Sequence, residues 1–276
     1  MLSKFYVEDH VKSALMEDIG YGDITTENLA GENDFLKAEL NTRSEGILCG
    51  CDVFTTVYKI LSDDVKIKFY FKDGDKIKKG DKIADIEGPA KDLLMGERVS
   101  LNYIQRMSGI ATETRKYQDA IAPYNAKIVD TRKTTPNFRA FEKYSVKIGG
   151  GALHRFNLSD CAMIKDNHIK LAGSLTNAVN KLRQNISHAH KIEVECDTLD
   201  QVKEAVDAKA DIIMLDNMHV ETMKKAVEII NHQAIVEASG NVNLSTVNAI
   251  ASTGVDIISS SAIVAKAPTL DLALDM

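Results

Sequence analysis

The chain has 276 residues, 44% hydrophobic and 27% charged, with a formal net charge of -6. That is enough to bury a large core and to make two domains, or one barrel with an appendage. The negative balance argues against a general nucleic-acid or anionic-membrane surface, although a locally basic groove is still compatible with it. No apolar run approaches the ~18 residues of a membrane span. The N-terminus, MLSKFYVEDHVKSALMEDIG, has acids throughout and predicts an amphipathic helix, not a secretory signal. Cys49, Cys51, Cys161 and Cys196 form no zinc-type pair of pairs and no disulfide framework. A cytoplasmic protein is expected.

After the first helix, the glycine- and threonine-rich IGYGDITTENL predicts a turn and a loop. A strand over KAELNTRSEGILCG and a helix over Cys51–Leu61 follow. The stretch VKIKFYFKDGDKIKKGDKIADIEGP alternates apolar and charged residues around D-G turns, which predicts half-buried strands joined by tight turns. Its repeat is similar to the turn-strand unit of biotinyl and lipoyl carriers. A carrier needs a modifiable lysine at a hairpin tip, whereas Asp75-Lys76 and Asp81-Lys82 fall inside the repeat, so a shared small β-fold is the better explanation. Residues 92–117 have apolar side chains at helical spacing. On periodicity alone, Arg98 belongs to the solvated face of that helix.

From about Lys127 the pattern changes. Apolar runs KIVD, CAMIKD, KIEVEC, DIIMLD, AIVEAS and DIISSS alternate with helical segments such as 198–209, 220–231 and 245–252. Such alternation predicts parallel strands in βα units. Glu195, Asp216, Glu237 and Ile258 recur every 21 residues, a step that favours a barrel over a doubly wound sheet. With about six strands, the barrel is smaller than the eight-stranded type or incomplete. Asp130, Lys165, Glu195, Asp216 and Ser239 each close a strand, where a (β/α) barrel gathers its chemistry. Any one acid there could be a helix N-cap; several converging charges point to a shared ligand.

Between residues 130 and 170 there are eight Lys/Arg against four Asp/Glu, in an acidic chain. This local excess suits a small, heavily anionic ligand. Arg132, Lys133, Arg155 and Lys165, with His154, supply more cation than one phosphate requires and match a dicarboxylate beside a pyrophosphate. Glu195 and Asp216 are candidates to hold Mg²⁺, directly or through water. The small-residue loops EASGN and SSSA offer backbone N–H groups to a phosphate, each a weak signal alone.

The motifs EDIGYGDITT, ERVSLN, SGIAT, DTRKTTP, EKYSVKIGGG, HR (154–155), MIKDNHI, IEVEC, IMLDNM and EASGN together resemble the quinolinate phosphoribosyltransferase (carboxylating nicotinate-nucleotide pyrophosphorylase) family along almost the whole chain. The resemblance implies a type II phosphoribosyltransferase fold: an N-terminal α/β sandwich over 1–108 and an open α/β barrel over 109–276, with a return of the C-terminal tail to the first domain as one option. It implies transfer of phosphoribose from phosphoribosyl pyrophosphate to quinolinate with decarboxylation, using Mg²⁺, in a homodimer or higher oligomer with a shared site. Carried over by position, Arg98 would bind quinolinate in a neighbouring subunit, overturning its bland assignment. Arg132, His154, Arg155 and Lys165 would complete that pocket. Thr131, Lys133, Glu195 and Asp216 would meet the ribose, pyrophosphate and metal. Ser239, Gly240 and Asn241 with Ser260, Ser261 and Ala262 would take the 5′-phosphate. The chain departs from the family at Leu153, usually Asn, and at Ser261, usually Gly. Two further readings are a related protein of molybdenum transport or another pyridine acid, and a non-catalytic phosphate-binding regulator.

Overall fold

The structure, a computed structural model, describes residues 2–276. In chain order the elements are α1 (Lys4–Ile19), α2 (Ile24–Leu29), β1 (Phe35–Thr42), β2 (Gly46–Ile47), α3 (Cys51–Leu61), β3 (Lys66–Phe69), β4 (Lys76–Ile77), β5 (Lys82–Pro89) and α4 (Ala90–Ala120). Then come β6 (Lys127–Val129), α5 (Arg139–Ile148), β7 (Ala162–Ile164), α6 (Asp166–Ala172), α7 (Leu175–Asn185), β8 (Ile192–Cys196) and α8 (Leu199–Asp207). The last are β9 (Ile212–Asp216), α9 (Val220–Ile230), β10 (Ile235–Ser239), α10 (Val247–Ala251), β11 (Ile257–Ser259), α11 (Ala262–Ala265) and β12 (Leu272–Asp275). They form two compact units. One holds the chain up to Arg115 with 140–150 and 267–276; the other holds Lys116–Arg139 and Gly151–Lys266. Among the described residues no helix is long and apolar enough to cross a membrane.

The first unit is built on a four-stranded sheet in the order β12-β1-β5-β3, with every pairing antiparallel. Alternation along the strands gives it one apolar face, where Leu40, Ala84 and Ile86 join Phe54, Tyr58, Leu93, Ile104 and Leu272 in a dry cluster. Helix α3 docks there through Cys51, Phe54 and Tyr58. Asp73, in the first D-G turn, accepts from the N–H groups of Gly50 and Cys51 at 2.9 and 3.0 Å and so caps α3. The residue at 109 has to be glycine, because a Cβ there would lie 1.9 Å from the Pro268 carbonyl oxygen. One expectation fails here. Residues 24–29 are helix, not loop, because the Asp23 side chain accepts from Thr25 N and Thr26 N, both at 3.0 Å. A good cap outweighs the poor helix propensity of paired threonines.

The second unit is a six-stranded, wholly parallel sheet in the order β6-β11-β10-β9-β8-β7. From β7 to β11 each strand lies beside its successor, and β6 follows β11, so the sheet winds in one sense as a barrel does. It is open, since β6 and β7 are its edges; the segment at Ala152 extends the β6 side through one parallel bridge to Val129. The 21-residue recurrence locates the strands but not their register. Glu195 and Glu237 both pair with Met214, while Asp216 pairs with Ser239. Strands in a barrel are tilted and staggered, so register partners differ in depth along the axis.

Candidate active site

The polar residues of the second unit fall into an outer group at the C-terminal strand ends and an inner group beneath it. Side chains two apart on a strand share a face, so Glu193 and Glu195 of β8 point the same way, as do Glu237 and Ser239 of β10.

In the outer group Lys165 directly follows β7 and pairs its Nζ with Glu195 Oε2. The Glu195 side chain is 18% exposed and that of Lys165 48%, so the pair is open to solvent and to a ligand. Lys165 also caps α6. The His168 ring accepts the Lys165 N–H at 3.0 Å, which gives the last residue of KDNH a structural task. Asp216 is half-buried and accepts from Asn217 Nδ2 at 2.7 Å. The outer acids therefore sit on neighbouring parallel strands and offer hard oxygen donors. That fits Mg²⁺, which takes one or two carboxylates and leaves its other positions to water and phosphate.

The turn after β10 is shaped for close approach of its backbone. Gly240 has φ +95° and Asn241 +51°, and a Cβ on Gly240 would fall 2.2 Å from Asn217 Oδ1. Asn241 Nδ2 donates to that same oxygen at 3.0 Å, and Asn217 N donates to the Ser239 carbonyl at 2.9 Å. The tight turn leaves its main-chain N–H groups near the strand ends, and turns of this kind can present N–H groups to an anion. Ser260 is buried; its hydroxyl donates to Val242 O and accepts from Ala262 N, both at 3.3 Å, so it ties the two loops together. Ser261 has φ -74°, an ordinary right-handed conformation, so glycine is not needed there for backbone reasons. Ala262 follows it as the first residue of α11.

The cationic segment after β6 lies in the same unit. Lys133 is exposed, and its N–H is held by Thr131 Oγ1 at 3.0 Å. Arg132 keeps a buried Nε that meets no acceptor among the described residues, a donor suited to an anion. Arg155 donates from Nη1 to Cys161 O at 2.9 Å, while Nη2 meets the Met163 sulfur at 3.5 Å. Leu153 is 47% exposed. Arg98 lies in the first unit, exposed on α4.

Sequence reasoning named His154 but gave no role to the two acids of the inner group. Glu193 and Glu237 are 0% and 1% exposed, and the His154 ring meets both: Nε2 lies 3.3 Å from Glu193 Oε2 and 3.3 Å from Glu237 Oε2. The available signals were two acids on a single face of IEVEC and Glu237 at the head of EASGN. Asp130 was expected at the mouth, but it is fully buried and accepts the His154 main-chain N–H at 2.9 Å. Burial disfavours a charged imidazole, yet the carboxylates of Glu193 and Glu237 outweigh it and push His154 up to about 10. Burial likewise raises the Glu193 carboxyl, with His154 opposing. Because both acids lie 3.3 Å from the same ring nitrogen, the three groups titrate as one set, and the raised affinity for a proton belongs to the trio and not to the ring alone. The Arg155 N–H, which donates to His154 Nδ1 at 2.9 Å, decides where that proton resides. Nδ1 must keep its lone pair, so the ring proton is on Nε2 and the additional proton belongs to the carboxylates.

Comparison with known proteins agrees with this architecture. Residues 23–108 match the family model "Quinolinate phosphoribosyl transferase, N-terminal domain" and residues 110–275 the corresponding C-terminal domain. A probable nicotinate-nucleotide pyrophosphorylase (carboxylating) of Synechocystis is 42% identical over 273 residues, covering 98% of this chain and 92% of the relative. One from Bacillus subtilis is 43% identical over 261 residues, covering 95% and 90%. The structure of the nicotinate-nucleotide pyrophosphorylase from Francisella tularensis superposes with a TM-score of 0.95 at 40% identity, covering 100% of this chain and 97% of that one.

Proposed function

The chain belongs to the quinolinate phosphoribosyltransferase family, and we propose that the strand-end cluster of its second unit transfers phosphoribose to quinolinate and then releases CO₂, forming nicotinate mononucleotide for NAD synthesis. The observation that carries this assignment is the Lys165–Glu195 pair at the strand ends, a cation and an acid both still accessible, with Asp216 on the next strand.

The quinolinate nitrogen attacks C1 of the ribose while the C1–oxygen bond to pyrophosphate breaks and its electron pair leaves with pyrophosphate. Charge grows on the leaving group, where the Lys133 ammonium offsets it. Glu195 and Asp216 face the ribose hydroxyls and would hold Mg²⁺, which when bound supplies further charge neutralisation to pyrophosphate. The ring nitrogen, now a pyridinium, accepts electron density as the C2–carboxylate bond breaks. CO₂ departs, and a proton arrives at C2. Arg132, Arg155 and Lys165, with His154 beside them, hold the two quinolinate carboxylates, since guanidinium forks match carboxylates bidentately. Ser239, Gly240 and Asn241 take the 5′-phosphate on backbone N–H groups, with Ser260, Ser261 and Ala262 facing them. The enzyme works in the cytoplasm as a homodimer or an oligomer of dimers in which Arg98 serves a partner's site.

Purified protein mixed with quinolinate, phosphoribosyl pyrophosphate and Mg²⁺ should give nicotinate mononucleotide and CO₂. Turnover of nicotinic acid or another base in place of quinolinate would sink the substrate assignment. Mixing inactive Arg98→Ala with inactive Lys133→Ala subunits should restore part of the activity. No recovery despite demonstrated subunit exchange would exclude the shared site.

A further inference from the structure

Two sealed carboxylates around one imidazole are more than hydrogen bonding requires, because a single acceptor satisfies a single Nε2–H. What that ring supports explains the excess. Two main-chain bonds tie the segment from Ala152 to Arg155 to the β6 side of the sheet, and a third locks it to its own histidine ring. Ala152 N donates to Ile128 O at 2.8 Å, His154 N to Asp130 Oδ1 at 2.9 Å, and Arg155 N to His154 Nδ1 at 2.9 Å. The last of these bonds exists only while the ring keeps its proton on Nε2 and its plane fixed. Glu193 from β8 and Glu237 from β10 approach Nε2 from strands separated by β9, which fixes both.

We propose that Glu193 and Glu237 are positioning residues for the carboxylate-binding Arg155: by locking the His154 ring they hold the Arg155 backbone where its guanidinium can grip quinolinate. This rests on the assignment of Arg155 to the quinolinate pocket. The guanidinium itself is only lightly held, by Cys161 O and the weakly accepting Met163 sulfur, so its aim depends on the main chain beneath it. The same three side chains could in principle hold a metal ion, but a ring that accepts at Nδ1 carries its proton on Nε2, where the metal would have to bind.

The test separates positioning from bulk structure by kinetics and by ring spectroscopy. A misplacement of about 1 Å can cost on the order of 100-fold in a positioned reaction. Glu193→Leu/Glu237→Leu should therefore raise KM for quinolinate at least about tenfold, moving kcat and KM for phosphoribosyl pyrophosphate far less. Glu193→Gln, which still accepts from Nε2–H and donates to Glu237, should recover most of that loss. An equal fall in all three constants, or unchanged quinolinate affinity in a folded Leu variant, would overturn the proposal. Should the Leu variant fail to fold, ¹⁵N NMR of His154 in the unaltered protein decides the matter. The expected state is a protonated Nε2 and a bare Nδ1; a proton on Nδ1, or His154 resonances displaced by added Zn²⁺ or Mn²⁺, would overturn it. Arg155→Ala is the separate check on the pocket: unchanged quinolinate affinity in that variant would refute the Arg155 assignment while the ring measurement still stood.

Discussion

The two units bury charge by different rules. In the first, Glu142 is fully buried and has its own cation: Arg106 Nη2 lies 3.1 Å from Glu142 Oε1, and Arg106 Nη1 donates to Ala267 O at 2.8 Å. In the second, two buried acids converge on one imidazole. A matched pair balances its own charge, and this one joins α4, α5 and the segment at 267. An unmatched set must hold an extra proton and is costly without one. Such a set persists where it supports something else, and here it lies directly beneath the cation-bearing loop. The contrast also holds within β8, where Glu193 is sealed and Glu195, two residues on, is open to a ligand.

Breaking the matched pair should have the largest effect. Arg106→Met leaves Glu142 buried without this cation and should lower unfolding stability by about 3–5 kcal/mol, the usual result of removing one partner of a buried pair. Denaturant melts would show it. A loss below about 1 kcal/mol would mean that the pair behaves like a surface ion pair, and the contrast between the units would fail.

A smaller effect is expected at the mouth of the second unit, where backbone conformation does the positioning. Gly240→Ala must adopt φ near +95° and place a Cβ 2.2 Å from Asn217 Oδ1. The strain should cost about 1–3 kcal/mol and raise KM for phosphoribosyl pyrophosphate more than KM for quinolinate. Equal changes in both constants would detach this turn from phosphate binding.

How far the sequence reveals these features depends on their range. The six parallel strands were legible because β-branched runs alternate with helices, and Asp216, Glu195 and Lys165 because they close strands. Strand tilt was not legible. IEVEC presents two acids on one face, and only the stagger of neighbouring strands decides that Glu195 reaches the mouth while Glu193 is buried. Glu237 was visible as the first letter of EASGN, yet its level depends on pairing with Met214, 23 residues earlier. The α2 helix was hidden for the opposite reason. It is so local that one Asp23 cap decides it against weak threonine propensity. Leu153 stood out as a departure from family pattern, and the structure shows only that it is half exposed.

The least costly way to sharpen the contrast uses pH. Burial pushes the Tyr58 phenol up to about 12, with the hydrogen bond from Ser100 opposing. In the unfolded chain a tyrosine titrates near 10. The folded state thus holds this proton more tightly, and the stabilisation is complete below about pH 10 and is lost as pH climbs toward 12. Each such group contributes a slope of at most about 1.4 kcal/mol per pH unit. Tyr58→Phe should flatten alkaline unfolding by up to that slope between those limits, while leaving the pH dependence of quinolinate turnover below pH 9 unchanged. Chemical denaturation at a series of alkaline pH values measures the first; steady-state rates measure the second. A shifted rate profile would show that the core of the first unit is not electrostatically separate from the chemistry of the second. An unflattened unfolding curve would mean that this phenol is already released to solvent before the unit unfolds.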